Sequence, residues 1–279
     1  MLQDEALRLM IQERPDDLGP RLVYADWLEE RGHCDRAELI RLQCHGDDDD
    51  RAAELVRRHG AEWAGPIAKL AYGYKFRRGF IEEVTISGLE LLKHGNEILS
   101  FAPVRLLRVI GARLVMDRLD DWPLLERIEA LHLTGGHLAD EGVELLACSR
   151  RIFGLRTLRL GQNAIGDTGI ELLAASPNLT GLQDLILHGN LIGDVGAHAL
   201  ATASHLVNLR LLDLSDNQIG DMGAEALSMS DGLPCLERLD ISHQFKGWSH
   251  GLVRGLPLPI QARRQQTLTD RFGTEVCVF

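Results

Sequence analysis

Leucines recur along the chain with a spacing that predicts alternating strands and helices. Leu131, Leu158, Leu185, Leu212 and Leu239 are each 27 residues apart. Each lies in a short segment in which apolar and polar residues alternate, which is typical of a strand with one buried face. In the best-preserved copies, apolar residues then recur at helical spacing. The pattern predicts one strand–helix unit repeated along the chain.

Three copies of the unit are well preserved and share one phrase. They read Leu155-Arg-Thr-Leu158-Arg-Leu160-Gly-Gln-Asn163, Leu182-Gln-Asp-Leu185-Ile-Leu187-His-Gly-Asn190 and Leu209-Arg-Leu-Leu212-Asp-Leu214-Ser-Asp-Asn217. This phrase resembles the leucine-rich repeat. We therefore predict an α/β leucine-rich-repeat solenoid with parallel inner strands and outer helices, as in the ribonuclease-inhibitor class. Seven strands are expected, centred near residues 84, 107, 131, 158, 185, 212 and 239.

The parts of the chain that flank the repeats predict two caps. Residues 1–78 lack the repeat and predict a helical N-terminal cap, with helices over 2–13, 21–31, from 35 onward, 51–59 and 63–70. Pro20 is expected to open the second helix and Gly60 to end the fourth. The solenoid is predicted over 79–246. Residues 247–279, with a helix near 268–272 and a strand near 275–279, are predicted to cover the last edge of the sheet.

Charge and cysteine usage narrow the classes of partner and compartment. The formal net charge is -11, which disfavours binding to nucleic acid or to an anionic membrane, because phosphate contacts need a basic surface. The first 17 residues carry charges throughout and do not resemble a secretory signal. Five scattered cysteines do not resemble a disulfide framework. We expect a cytoplasmic monomer with reduced thiols.

The candidate binding residues lie between the last two apolar positions of each strand, where side chains face the inner surface of a solenoid. These predicted partner-binding residues are Arg108, His132, Arg159, Ile186, Asp213 and Asp240. A second set lies two residues earlier in each strand: Glu83, Leu106, Ala130, Thr157, Asp184, Leu211 and Arg238. Charge is basic in the early strands and acidic in the late ones. The alternative is that these residues only keep the surface soluble.

Other repeated polar residues have structural explanations. Asn163, Asn190 and Asn217 are interpreted as buried amides that bond the backbone of a neighbouring coil. The aspartates that precede each helix, such as Asp167, are interpreted as N-caps, although a repeated calcium site is an alternative. The basic cluster over residues 75–78 is interpreted as a solvated approach to the first strand, with contact to an acidic partner as the alternative.

Metal binding and catalysis are the less favoured alternatives. His33-Cys34 and Cys44-His45 form two pairs of zinc-type ligands, but zinc sites usually have more closely spaced cysteines. The chain lacks nucleophile-elbow, zincin, Walker A and Cys-x-x-Cys motifs, so we predict no enzymatic activity, no metal and no cofactor. If the protein is an enzyme, we expect a site where the cap meets the repeats. Its candidate residues are Tyr24, Asp26, Glu29 and Glu30.

The helical N-terminus also resembles a known family. The phrases that carry the likeness are Pro20-Arg-Leu-Val-Tyr24-Ala-Asp-Trp27-Leu-Glu-Glu-Arg-Gly32, Arg36-Ala-Glu-Leu-Ile-Arg-Leu-Gln43, His59-Gly-Ala-Glu-Trp63, Arg78-Gly-Phe80-Ile-Glu-Glu-Val84 and Arg271-Phe-Gly273-Thr-Glu-Val-Cys-Val-Phe279. They are similar to the repeat-companion-domain proteins of planctomycete bacteria, in which a helical module precedes leucine-rich repeats. The resemblance implies this architecture and no particular activity.

Together these features predict a non-enzymatic scaffold that binds a protein partner on the concave face of its repeats. A first alternative is an adaptor or regulatory subunit whose N-terminal module binds a second partner. That alternative predicts an exposed apolar patch within residues 1–78. The enzyme with a site at the junction is the second alternative.

Overall fold

A computed structural model describes residues 3–46, 50–246, 256–257, 265, 268–269, 271–272 and 277–278. The chain divides into two compact units, Met1–Arg108 and Val109–Phe279. Both contain helices and strands, so the fold is mixed α/β. The predicted domain boundaries after residues 78 and 246 stay predictions.

The first unit begins with helices and continues into strands. Its elements are α1 (Gln3–Glu13), α2 (Leu18–Glu29), α3 (Cys34–His45), α4 (Asp50–Ala64), α5 (Ile67–Leu70), β1 (Gly73–Arg77), β2 (Phe80–Ser87), α6 (Gly88–Phe101) and β3 (Leu106–Ile110), which runs past the end of the unit. The five predicted helices are present. Two of their expected ends are wrong.

The corrections concern Pro20 and Gly60. Helix α2 starts two residues before Pro20, because the carboxylate of Asp17 caps it by accepting a hydrogen bond from the Gly19 N–H at 2.9 Å. Proline is tolerated within a first turn, where its missing N–H is not needed. Gly60 does not end α4. It lies inside that helix, where an added Cβ would be 3.3 Å from Val56 Cγ1, which is closer than ordinary van der Waals contact.

The basic cluster at residues 75–78 forms part of a strand pair that the sequence did not predict. Strand β1 runs antiparallel to β2, and Arg78 and Gly79 make the turn with φ angles of 49° and 80°. Lys75 and Arg77 both pair with Glu83 of β2, at 3.3 and 3.0 Å. Lys75 and Arg77 are exposed, as the interpretation of a solvated approach expected, but they belong to a strand that it did not include.

A buried ion pair joins α2 to β2. The guanidinium of Arg21 is fully buried and donates to Glu82 Oε1 at 2.8 Å and to the carbonyl oxygen of Pro15 at 2.9 Å. Arg78 pairs with the second oxygen of Glu82 at 2.6 Å. Burial lowers the pKa of Arg21. Around this pair, apolar residues of α1, α2, α3 and β2 form one core: Leu7, Ile11, Tyr24, Ala25, Leu28, Ala37, Ile40 and Phe80.

The second unit contains the regular strands. Strands β4 (Ala130–His132), β5 (Thr157–Arg159), β6 (Asp184–Ile186), β7 (Leu211–Asp213) and β8 (Arg238–Asp240) pair in parallel, in chain order. Together with β2 and β3 of the preceding segment, the seven strands lie at the predicted positions. The central leucines of β5 to β8 are fully buried, and each contributes roughly 1.5–3 kcal/mol of burial free energy.

Helices follow the strands of the second unit. They are α7 (Ala139–Cys148), α8 (Asp167–Ala175), α9 (Asp194–Ala201) and α10 (Asp221–Ser228). Before β4 the chain instead forms 3-10 turns over Ala112–Asp121 and Pro123–Arg127, and a third lies at Pro177–Leu179. A strand–helix repeat with parallel pairing is thus present from β4 to β8.

Short strands follow β8. Strand β9 (Phe245–Lys246) pairs antiparallel with β10 (Leu256–Pro257), and β11 (Cys277–Val278) adds to the edge of β8 in parallel. Residues 268–269 and 271–272 are helical, as the sequence predicted. The remainder of the predicted C-terminal cap lies outside the described residues.

Candidate functional site

The predicted binding positions of β4 to β8 form one register row. His132 pairs with Arg159, Arg159 with Ile186, Ile186 with Asp213, and Asp213 with Asp240. The parallel pairing without a register shift follows from the constant 27-residue period of the chain. The second set forms a parallel row two residues away: Ala130, Thr157, Asp184, Leu211 and Arg238.

Alternation along each strand decides what is accessible on this face. In β6, Leu185 is fully buried while its neighbours Asp184 and Ile186 are half-exposed. In β5, Leu158 is buried and Arg159 is exposed. The central leucines therefore point toward the core, whereas Asp184, Ile186 and Arg159 of the two register rows reach solvent.

His132 is the exception in the row. Its relative exposure is only 6%, so the prediction of an accessible side chain is wrong at this position. The physical reason is that strand alternation determines the direction of a side chain but not whether other groups cover it. Arg108, the remaining predicted residue, is exposed on β3 in the first unit.

Four of the predicted residues border one depression of 260 Å³ on the strand face: Arg159, Ile186, Asp213 and Asp240. Its other walls are supplied by Leu211, Leu212, His188 and Arg238. Apolar Ile186 and Leu211 thus have basic groups and acidic groups around them. The guanidinium groups of Arg159 and Arg238 form no hydrogen bond or ion pair with any described residue.

The two acidic residues of the depression are held by the same local contact. Asp213 Oδ1 accepts hydrogen bonds from the Ser215 N–H at 3.0 Å and from its hydroxyl at 2.6 Å. Asp240 accepts the equivalent bonds from Ser242, at 3.0 and 2.6 Å. This contact could be predicted from the sequence, because in both cases an Asp precedes a Ser by two residues. These bonds orient both carboxylates through one oxygen each.

Sequence reasoning missed His188. It follows β6, and its Nδ1 lies 3.9 Å from Asp213 Oδ2. A Cβ on Gly161, the equivalent residue of the preceding coil, would lie 2.4 Å from the imidazole. The imidazole therefore occupies space that only glycine leaves free. The sequence does contain a signal for His188: glycine, as Gly161, occupies the same position in the preceding repeat.

The asparagines do not lie on this face. Asn163, Asn190 and Asn217 are fully buried. Asn217 Nδ2 donates to the carbonyl oxygens of Leu187, in the preceding coil, and of Leu214, at 3.0 and 2.9 Å. The interpretation as structural amides that bond a neighbouring coil is confirmed.

After β8, a glutamine occupies the repeat position that asparagine holds in the earlier repeats. Gln244 donates to the Leu214 carbonyl oxygen at 2.9 Å, and its Oε1 accepts from the Ile219 N–H at 2.9 Å. It makes the same bonds from the same place in the repeat. The sequence pattern missed this residue because it required Asn, although an amide three residues after Ile241 was visible.

Comparison with known protein families identifies the repeated unit. Three segments, residues 128–147, 155–174 and 205–228, match the family model described as Leucine Rich repeat. The chain contains leucine-rich repeats. Such repeats commonly serve as scaffolds for protein interactions. A search of curated proteins found no match.

The aspartates of the leucine-rich repeats cap helices, but not their own. Asp167 Oδ1 accepts from the N–H groups of Gly193 and Gly196, at 2.7 and 2.9 Å, at the start of the helix of the next repeat. The prediction that each aspartate caps the helix it precedes is wrong, since those helices have glycine or leucine at the N-cap without a side-chain bond. The same contact recurs from Asp140 to Gly166 and from Asp194 to Gly220 and Gly223.

The zinc alternative gains no support from the arrangement of its ligands. Cys34 is exposed, whereas Cys44 is half-buried with its Sγ 3.9 Å from the carbonyl oxygen of Arg78. Burial raises the pKa of the Cys44 thiol. Within the described parts of the chain, no three His, Cys, Asp or Glu side chains are grouped so that they could hold a metal ion.

Of the enzyme candidates, Asp26 and Glu29 share one partner, whereas Tyr24 has a different one. Tyr24 is buried and its hydroxyl donates to Asp4 Oδ1 at 2.7 Å. Asp26 and Glu29 lie on the exposed side of α2, where both accept from Arg41 Nη2 at 2.7 Å. The hydrogen bond from Arg41 lowers the pKa of Glu29.

A search for membrane spans found that no described helix combines the length and the apolar character needed to cross a bilayer.

Proposed function

We propose that this protein is a non-enzymatic scaffold that binds a protein partner on the strand face of its leucine-rich repeats. The proposal includes no metal or cofactor, a monomeric state and a cytoplasmic location. The single observation that supports it is the depression bordered by Arg159, Ile186, Asp213 and Asp240, four positions chosen from repeat spacing alone. We further propose that residues 1–78 form a repeat-companion cap of the planctomycete type.

The chemistry of the depression suggests the kind of partner. Apolar Ile186 and Leu211 line it together with charged residues, and apolar groups combined with charged ones are typical of protein interfaces. Arg159 is unpaired among the described residues, and the oriented carboxylates of Asp213 and Asp240 lie on the opposite side of Ile186 in the row. The complementary partner is an extended segment with an apolar residue between an acidic and a basic one.

Affinity capture from the organism that encodes the chain tests the proposal. The full-length tagged protein is compared with Arg159→Glu and Ile186→Asp, and captured proteins are quantified by mass spectrometry. We expect at least one protein whose recovery falls about tenfold or more with both variants, as for residues at the centre of an interface. Glu171→Lys, at an exposed position of α8, is the matched control and should retain that protein.

The result that contradicts the proposal is equally specific. Wild type and both strand-face variants would then recover the same proteins in the same amounts, while thermal unfolding shows all of them folded. Recovery that falls with Glu171→Lys as much as with Ile186→Asp would also argue against a site on the strand face.

One observation favours the adaptor alternative. Several apolar side chains of the first unit are well exposed, among them Leu9 by 40%, Met10 by 45% and Val23 by 54%. If the N-terminal module binds a second partner, Met10→Glu and Val23→Glu should release a protein that Ile186→Asp still captures. If every captured protein depends on Ile186, the adaptor hypothesis is wrong.

A further inference from the structure

The first unit contains a cavity of 390 Å³ whose walls are aromatic and cationic. Its size falls within the range of small-molecule sites in proteins. The aromatic walls come from helices α2, α4 and α6 and from strand β2: Tyr24, Trp27, Trp63, Phe80 and Phe101. Arg8 and Arg36 also line it. We call this the Arg36 cavity.

Arg36 is unusual because its charge has no counter-ion among the described residues. Its Cζ lies 4.8 Å from the ring centroid of Trp63, 5.1 Å from Phe76 and 5.4 Å from Phe80. Its Nη1 is buried and has no hydrogen-bond partner in the described structure. Burial lowers the pKa of Arg36 to about 9. A desolvated cation without a partner is unfavourable, and an anion beside it removes that cost.

Further donors on the walls are also without acidic partners. Arg8 Nη2 donates to the carbonyl oxygen of Phe101 at 2.8 Å, and its guanidinium lies over that ring without a carboxylate contact among the described residues. The indole Nε1 of Trp27 is buried and unpaired within the described structure.

The acidic groups of the cavity do not neutralise these donors. Asp4 accepts the hydroxyl hydrogen of Tyr24, and Glu62 lies 4.0 Å from His59 Nδ1. Neither carboxylate forms an ion pair with Arg8 or Arg36 among the described residues. The walls therefore combine hydrogen-bond donors, uncompensated positive charge and flat apolar surfaces.

We propose that the Arg36 cavity binds a small oxyanion, a carboxylate or a phosphate, carried on a flat apolar group. The oxyanion takes the position beside Arg36 and Arg8, where guanidinium groups recognise planar or multidentate oxygen ligands. The apolar group stacks between the aromatic side chains. This binding does not depend on the protein-binding role of the strand face, because the cavity is lined entirely by residues of the first unit.

Isothermal titration of the full chain with benzoate and with phenyl phosphate tests the proposal. We expect one of them to bind saturably with one site, and the tighter probe distinguishes a carboxylate ligand from a phosphate ligand. Benzyl alcohol, which lacks the charge, should not bind. Arg36→Met keeps an unbranched stem against the rings, and we expect it to weaken binding about tenfold or more. The variant should unfold at the same or a higher temperature, since it removes an unpaired buried charge.

Arg31→Met is the matched control. The Arg31 guanidinium lies 4.1 Å from the ring centroid of Trp27 but outside the cavity walls, so its loss should leave binding unchanged. The proposal is overturned if neither probe binds at millimolar concentrations, if benzyl alcohol binds equally well, or if Arg36→Met binds like wild type. If Arg36→Met does not fold, Arg8→Gln decides by the same criterion.

Discussion

The side-chain oxygen of Asn190 accepts a hydrogen bond from the backbone N–H of Asn163, 27 residues earlier, at 2.9 Å. The same oxygen accepts from the Ile165 N–H at 3.1 Å, and Nδ2 donates to the carbonyl oxygens of Leu160 and Leu187 at 3.1 and 2.8 Å. One buried amide thus satisfies four backbone groups in two successive repeats. The contact joins neighbouring coils where no regular strand or helix pairing is available.

Replacement of this amide should destabilise the second unit. Asn190→Ala leaves buried backbone groups without partners, and we expect the free energy of unfolding to fall by about 3 kcal/mol. Urea unfolding measures the change. Asn208→Ala is the control, because Asn208 is exposed and makes a single bond to the Thr180 carbonyl oxygen at 2.8 Å. It should cost less than about 1 kcal/mol. Equal costs at the two positions would contradict the structural role of Asn190.

Asp167 should stabilise the next repeat rather than its own helix. Asp167→Ala removes the acceptor for two N–H groups at the start of α9, and we expect a loss of about 1–2 kcal/mol in the free energy of unfolding. Hydrogen exchange distinguishes the two repeats: the amides of Gly193 and Gly196 should lose protection, while those in the first turn of α8 should not. Loss of protection confined to α8 would show that Asp167 caps its own helix.

The glycine at residue 196 should be coupled to this aspartate. A Cβ at Gly196 would lie 2.7 Å from Asp167 Oδ1, so Gly196→Ala should destabilise the protein by about 1–3 kcal/mol despite the higher helix propensity of alanine. Part of that cost should vanish when Asp167→Ala is already present. A double-mutant cycle measures the coupling. Strictly additive effects would mean that the carboxylate does not determine the need for glycine.

Tyr24 should ionise at unusually high pH. Burial, together with its hydrogen bond to Asp4, raises its pKa from the usual 10.0 to about 12. Because the folded state favours the neutral phenol, this contribution to stability is complete below pH 10 and is lost as the pH rises through about 12. Ultraviolet absorbance of the phenolate should show a late titration step near that pH. Tyr24→Phe should abolish the step, and a step that persists in this variant would belong to another residue.

The strands could be predicted from the sequence because burial imposes a two-residue alternation on each of them. Leu185 and Leu187 are fully buried, and so are the leucines at the equivalent positions of the repeats that contain β5 and β7. The same alternation identified Arg159, Ile186, Asp213 and Asp240, which the structure brings to one depression. It did not reveal what covers His132.

Strand β1 lies outside the repeats, so the 27-residue period could not predict it. Tyr74 and Phe76 alternate with Lys75 and Arg77, but of the five residues only Phe76 is buried. Its charged residues are matched by Glu83 on β2, a pairing that depends on the turn at Gly79. The hydrogen bonds from Asp167 to the next repeat could not be predicted for a similar reason. Local sequence does not give the distance between a residue and the neighbouring repeat.

Cysteine cross-linking tests most directly the claim that repeats stack in register and present one row of side chains to solvent. In a variant without the native cysteines, Arg159→Cys with Ile186→Cys places thiols on register partners of adjacent strands, about 4.8 Å apart along the sheet. Mild oxidation should form this disulfide readily, since the separation suits its geometry. Arg159→Cys with Asp213→Cys spans two strand spacings, roughly 9.6 Å, and should not cross-link. Failure of the first pair, or equal cross-linking of the second, would contradict the register on which the proposed binding face depends.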